Sequence, residues 1–156
     1  MRQNDTRTIE QAVRQAVAVL EATLNYRRDP DGDAYARMTE MALSVEYRTA
    51  GWRNDPEPAL PDEYRIVLCT GGPHVQISGA LDEVGYPVTW QLEMQDWGTP
   101  LQQMPGWSLA PELEGEQLPG ELDKFLRQED DSIDGEEESP LDGLMMDFVS
   151  ALATTF

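Results

Sequence analysis

The chain has 156 residues, with 40% hydrophobic and 26% charged side chains, a composition that suits one globular domain. Its 11 Lys and Arg face 30 Asp and Glu, a formal net charge of −19. A field of that sign repels phosphate backbones and anionic membranes, so the expected partner is a basic protein or nucleoprotein complex rather than free nucleic acid or a membrane.

The first element in chain order is an amphipathic helix over 8–25. Ile9, Ala12, Val13, Ala16, Val17, Leu20 and Leu24 recur at three- and four-residue spacing. Thr8 and Gln11 form a capping-box pattern, and Arg27 and Arg28 fall at the negative end of the helix dipole. DPDGD breaks this helix, and Asp33 is placed to cap a shorter one, AYARMTEMA, with Tyr35, Met38 and Ala42 inward.

From Leu43 the period changes to two. LSVEY puts Leu43, Val45 and Tyr47 on one face, and NDPEPALPD is a proline-rich loop. YRIVLC (64–69), HVQISGAL (74–81) and YPVTWQLEM (86–94) are strands, separated by TGGP and DEVG, which carry turn chemistry. Short separators favour a meander over parallel βαβ units. Residues 98–120 are rich in Gly, Pro and Gln and are expected to wrap the sheet as irregular loop. PGELDKFLRQ is a short helix. QEDDSIDGEEES is an acidic, low-complexity stretch. After Pro140, Leu141, Leu144, Met145, Phe148, Val149 and Leu152 form the stripe of a terminal helix that docks on the core.

The expected fold is α+β: an antiparallel meander of three or four strands packed with an N-terminal and a C-terminal helix. Its parts are a domain at 1–128, an acidic linker at 129–139 and the docking helix at 140–156. One cysteine cannot form an internal disulfide, MRQNDTRTIEQ lacks the apolar run of a signal peptide, and no run is long enough to span a bilayer. The expected setting is cytoplasmic.

Five features are candidates for chemistry. Cys69 and His74 flank Thr70-Gly71-Gly72-Pro73, and a nucleophile–base pair there would make a small hydrolase, provided the two side chains meet. No further residue is evident to orient the imidazole, and a strand pair with a glycine turn explains the same residues; with one His and one Cys, a zinc site of the usual nitrogen and sulfur ligands is excluded. Asp29, Asp31, Asp33 and Glu40 fall at calcium-loop positions 1, 3, 5 and 12, but Ala34 stands where the loop needs glycine. Gly71-Gly72 lacks the lysine and following helix of a P-loop. Trp90 reads as packed mid-strand; Trp52, Trp97 and Trp107 lie in loops, where an aromatic either covers the core or anchors a partner. No catalytic residue, metal or cofactor is assigned.

The fifth feature is the acidic third. Residues 1–60 carry −2, residues 61–110 carry −5 and residues 111–156 carry −12. Twelve charges on one face would imitate roughly 20 Å of duplex, about six base pairs. The alternative is a solvated tail that keeps the protein soluble.

Residues 43–104 add a resemblance. EYRIVLCTGGPHVQISGALDEVGYPVTWQLEMQDWGTP, above all Leu68-Cys69-Thr70-Gly71-Gly72-Pro73 and Gln95-Asp96-Trp97, is similar to small acidic proteins of phages, prophages and mobile elements. The resemblance carries over no functional residue, but it implies a setting in which small acidic proteins inhibit host nucleases, as anti-restriction and anti-CRISPR proteins do. The expected function is accordingly non-enzymatic: occupation of a DNA- or RNA-binding groove by Glu129, Asp130, Asp131, Asp134, Glu136, Glu137 and Glu138, with Trp97 and Trp107 as anchors. An acidic accessory protein that binds a basic partner without mimicry, and the Cys69–His74 hydrolase, are the alternatives.

Overall fold

The alternation in the middle of the chain builds one antiparallel sheet. A computed structural model describes residues 2–30, 32–49, 61–70, 74–96, 100–114, 118–126 and 140–154; of residues 2–8 and Trp107 only the backbone is described. The elements are α1 (Arg2–Arg28), α2 (Ala34–Glu40), β1 (Ser44–Arg48), β2 (Glu63–Cys69), β3 (His74–Ala80), β4 (Gln91–Gln95), β5 (Gln102–Met104), α3 (Gly106–Glu114), α4 (Gly120–Leu126) and α5 (Pro140–Ala153). The sheet has five strands in the order β1-β2-β3-β4-β5, each antiparallel to its neighbour. The α+β meander expected from the sequence is present, with a further short strand.

Period two decides which face is buried. Tyr64, Ile66 and Leu68 of β2 join Val75 and Ile77 of β3, Leu92 and Met94 of β4 and Met104 of β5 in the core. The register stacks them across the strands: Ile66 pairs with Ile77, Ile77 with Leu92, and Leu92 with Met104. Against this face lie α1, through Ala12, Val13, Ala16, Val19, Leu20 and Leu24, and α5, through Leu141, Leu144, Met145, Phe148 and Val149. The stripes follow the predicted spacing, except that Val19 is buried where Ile9 and Val17 are only half-buried, and Ala153 is buried where Leu152 is half-buried. Pro140 opens α5, where its missing N–H removes no helical hydrogen bond.

Several local expectations are corrected. The helix runs back to Arg2, so Thr8 lies inside it rather than at its N-cap. In α2 only Met38 is buried; Tyr35 is 45% exposed, and Asp33 makes no side-chain cap bond. Of the first strand's apolar residues only Val45 packs on the core, while Leu43 and Tyr47 are 60% and 41% exposed, because β1 is the sheet edge. The segment expected as loop after Trp97 supplies β5 and α3. Pro111 lies inside α3, at a position that costs a helical hydrogen bond. Burial of Leu109 and Leu113, four residues apart and 0% and 4% exposed, offsets that cost.

The strand expected at 86–94 begins only at Gln91. Before it, Asp82 Oδ1 accepts the backbone N–H groups of Val84, Gly85 and Tyr86, each at 2.9 Å, and Gly85 takes a φ of 105°. That turn leads the chain across β3 so closely that a Cβ on Gly79 would lie 2.1 Å from the Thr89 carbonyl oxygen. The Tyr64 hydroxyl donates to the same oxygen at 2.6 Å. Trp90 is half-buried ahead of the strand, not within it, and its Nε1 donates to Asp142 of α5 at 3.1 Å.

The ends of the helices are tied by charge. Arg27 pairs with Asp147 of α5 at 2.6 Å and lies 5.3 Å above the Phe125 ring, while Arg28 pairs with Glu121 of α4 at 2.5 Å. These pairs are exposed, so each orients more than it stabilises.

Candidate functional site

The helices cover one face of the sheet; the other carries a concave polar surface. Its residues are the complement of the core set. Ser44, Glu46 and Arg48 of β1 stand beside Glu63, Arg65 and Val67 of β2. Next come His74, Gln76, Ser78 and Ala80 of β3, Gln91, Glu93 and Gln95 of β4, and Gln103 of β5. Of these, Glu46, Arg48, Glu63, Arg65, Gln76, Ser78, Ala80, Gln91, Glu93 and Gln103 line an open cleft of ≈ 630 Å³, as does Leu101, within the size range of ligand sites.

Glu93 is the floor of this cleft. It is 5% exposed, and its register partners are Gln76 on β3 and Gln103 on β5. Oε1 accepts from Gln76 Nε2 at 2.9 Å and from the Ser78 hydroxyl. Oε2 accepts from Gln103 Nε2 at 3.2 Å and from Gln91 Nε2 at 3.4 Å. Gln76 is itself buried, and its Oε1 lies 2.7 Å from His74 Nε2. A short chain of hydrogen bonds thus runs from His74 through Gln76 to the carboxylate, a type of network that fixes side-chain orientation.

Two ion pairs form the outer wall. Arg65 binds Glu46 Oε1 through Nε at 2.8 Å and through a second guanidinium nitrogen. With the Ser44 hydroxyl donating to Oε2, this holds the Glu46 carboxyl below the usual carboxylate range. Arg48 pairs with Glu63, which raises the guanidinium pKa further. The cationic side chains of the cleft are therefore already held by carboxylates at its edge.

Of the sequence-predicted residues that are described, His74 alone lies on this polar face. Glu129, Asp130, Asp131, Asp134, Glu136, Glu137, Glu138 and Trp97 lie outside the described residues, as does Trp52; Trp107 is the second residue of α3, with its side chain outside the description. Cys69 and His74 are at the expected strand ends, on β2 and β3, with residues 71–73 between them outside the description. Their side chains take opposite sides of the sheet. Cys69 packs against the core and bonds Gln11 of α1, and burial pushes its thiol pKa up. His74 turns to Gln76 on the polar face. That geometry does not make a nucleophile–base pair. Of the calcium-loop residues, Asp31 is outside the description; among the described residues no group of three His, Cys, Asp or Glu is placed to hold a metal.

Gln76, Ser78, Gln91, Glu93 and Gln103 were not singled out by the sequence. Their signal was present as the polar half of the alternation that locates the core. What the arrangement offers chemically is a preoriented set of hydroxyl and carboxamide donors around a buried carboxylate. No helix among the described residues is long and apolar enough to cross a membrane. Comparison of the chain with protein-family models, with curated proteins and with solved structures finds no match.

Proposed function

We propose that the protein is a non-catalytic inhibitor of a host nucleic-acid-directed defence complex, of the anti-restriction or anti-CRISPR kind. It acts from the host cytoplasm by laying carboxylates into a basic groove that otherwise holds DNA or guide RNA. One observation carries this reading: the net charge of −19, with −12 of it in residues 111–156. The fold leaves that net charge unchanged but engages much of the positive part internally. Arg27, Arg28, Arg48 and Arg65 are bound to carboxylates of the same chain, so they present little free positive charge to a partner. The phage-like resemblance of residues 43–104 supplies the setting.

Electrostatic steering would make association fast and salt-sensitive. The experiment is a plasmid-challenge assay in bacteria whose restriction or CRISPR system destroys the incoming plasmid. Cells expressing the protein should retain the plasmid. Cells expressing a variant with Glu129, Asp130, Asp131, Glu136, Glu137 and Glu138 changed to Asn or Gln should lose it. Equal plasmid loss with and without the wild-type protein, across both kinds of system, would remove the inhibitor reading.

A further inference from the structure

Glu93 is buried, yet its four hydrogen-bond donors are all neutral. Among the described residues no Arg, Lys or His forms an ion pair with it, and the arginines that line its cleft are taken by Glu46 and Glu63. Buried carboxylates are ordinarily matched by a cation, because neutral donors satisfy the lone pairs without compensating the charge. Arg48 feels the charge of Glu93 across the cleft but is bound to Glu63, so no cation among the described residues is in direct contact with the Glu93 carboxylate.

The two carboxylate oxygens are unequally held. Oε1 has close contacts from Gln76 and Ser78, whereas the Gln103 and Gln91 contacts to Oε2 are longer, 3.2 and 3.4 Å. The first is at the long end of the ordinary range and the second lies beyond it. Oε2 is therefore the oxygen open to a stronger donor, and the flanking carboxamides can turn their carbonyl oxygens toward the newcomer. A planar guanidinium suits this set, with one N–H for Oε2 and others for the carboxamide oxygens. An ammonium is more strongly hydrated and gives up more on entering. Leu101, 42% exposed and lining the same cleft, offers an apolar surface for an alkyl stem.

We propose that this sheet-face cleft is a socket for the guanidinium group of an arginine side chain on a basic partner protein, with Glu93 as its counter-ion. The socket is built from residues other than 129–138, so its test does not depend on their role. The test titrates the full chain with N-acetyl-arginine methylamide and follows the side-chain amide signals of Gln76, Gln91 and Gln103 by NMR. The Gln91 and Gln103 signals should move saturably. The lysine analogue should bind at least about tenfold more weakly, the uncharged citrulline analogue should leave the signals in place, and Glu93→Gln should abolish the response. Absence of any response would overturn the proposal. So would equal response to arginine and lysine spread over the exposed carboxylates, or a response that survives Glu93→Gln. Should Glu93→Gln lose its spectral dispersion, the arginine and citrulline arms on the unaltered chain decide the matter alone.

Discussion

Gln76 and Glu93 face each other directly across the β3–β4 ladder, and Gln76 Nε2 donates to Glu93 Oε1 at 2.9 Å. Both side chains are nearly inaccessible, at 6% and 5%, so the bond joins two groups that water no longer serves. Removing one partner leaves the other underserved; removing both removes the demand. Gln76→Leu should therefore cost about 1–3 kcal/mol in denaturant unfolding. Adding Glu93→Leu should cost less than it does alone, giving a coupling in the double-mutant cycle. Strict additivity would show that the two residues do not act together.

Gly79 sits where the chain crosses back over β3. A Cβ there would meet the Thr89 carbonyl oxygen at 2.1 Å and the Tyr64 hydroxyl at 2.9 Å. The first neighbour is backbone and cannot swing aside. Gly79→Ala should lower thermal stability more than Tyr64→Phe, which removes only the 2.6 Å bond to Thr89 and should cost about 1 kcal/mol.

Phe148 is fully buried in α5, among the stripes of α1 and α5. Phe148→Ala should cost about 3–5 kcal/mol in urea unfolding, the range for removing a core aromatic. A cost under 1 kcal/mol would mean that α5 contributes little to the core.

The elements that were legible in the sequence share one property: their pattern is local. The α1 and α5 stripes and the β2–β3 alternation each lie within a single run of residues, and the core follows from them. Glu93 shows the limit. Its burial is made by Gln76 and Ser78, 17 and 15 residues earlier, and by Gln103, 10 residues later; in its own strand it looks like any outward-facing glutamate. Likewise α3 contains Pro111, and β5 is a three-residue QQM with little strand propensity. Tertiary packing and pairing form both, against local composition. Thr8 shows the converse, a capping pattern inside a helix that simply continues.

Three exposed carboxyls titrate below their ordinary values: Glu46 beside Arg65, Glu121 beside Arg28, and Asp82, first through its bond from the Tyr86 N–H. A depressed folded-state pKa stabilises the fold above the unfolded value and loses that contribution as pH falls through the folded one. NMR carboxyl titration should give midpoints under 4.5 for Glu46 and Glu121 and under 3.8 for Asp82. Arg65→Gln should return the Glu46 midpoint toward its ordinary value. An unchanged Glu46 midpoint in that variant would remove Arg65 as the cause.

The central claim is that carboxylates compete with nucleic acid for a basic groove. It is tested most directly by the salt dependence of binding to the complex that the plasmid challenge identifies. The account predicts that affinity falls steeply as salt rises, since the screening length shrinks from about 10 Å at 0.1 M to about 3 Å at 1 M. Changing Glu129, Asp130, Asp131, Glu136, Glu137 and Glu138 together to Asn or Gln should flatten that dependence and weaken binding strongly. Any one of them alone should cost about 0–1 kcal/mol. Full-strength binding by the neutralised variant would contradict the account, as would flat salt dependence with a loss of about 2 kcal/mol or more on changing Trp97 or Trp107 alone to alanine.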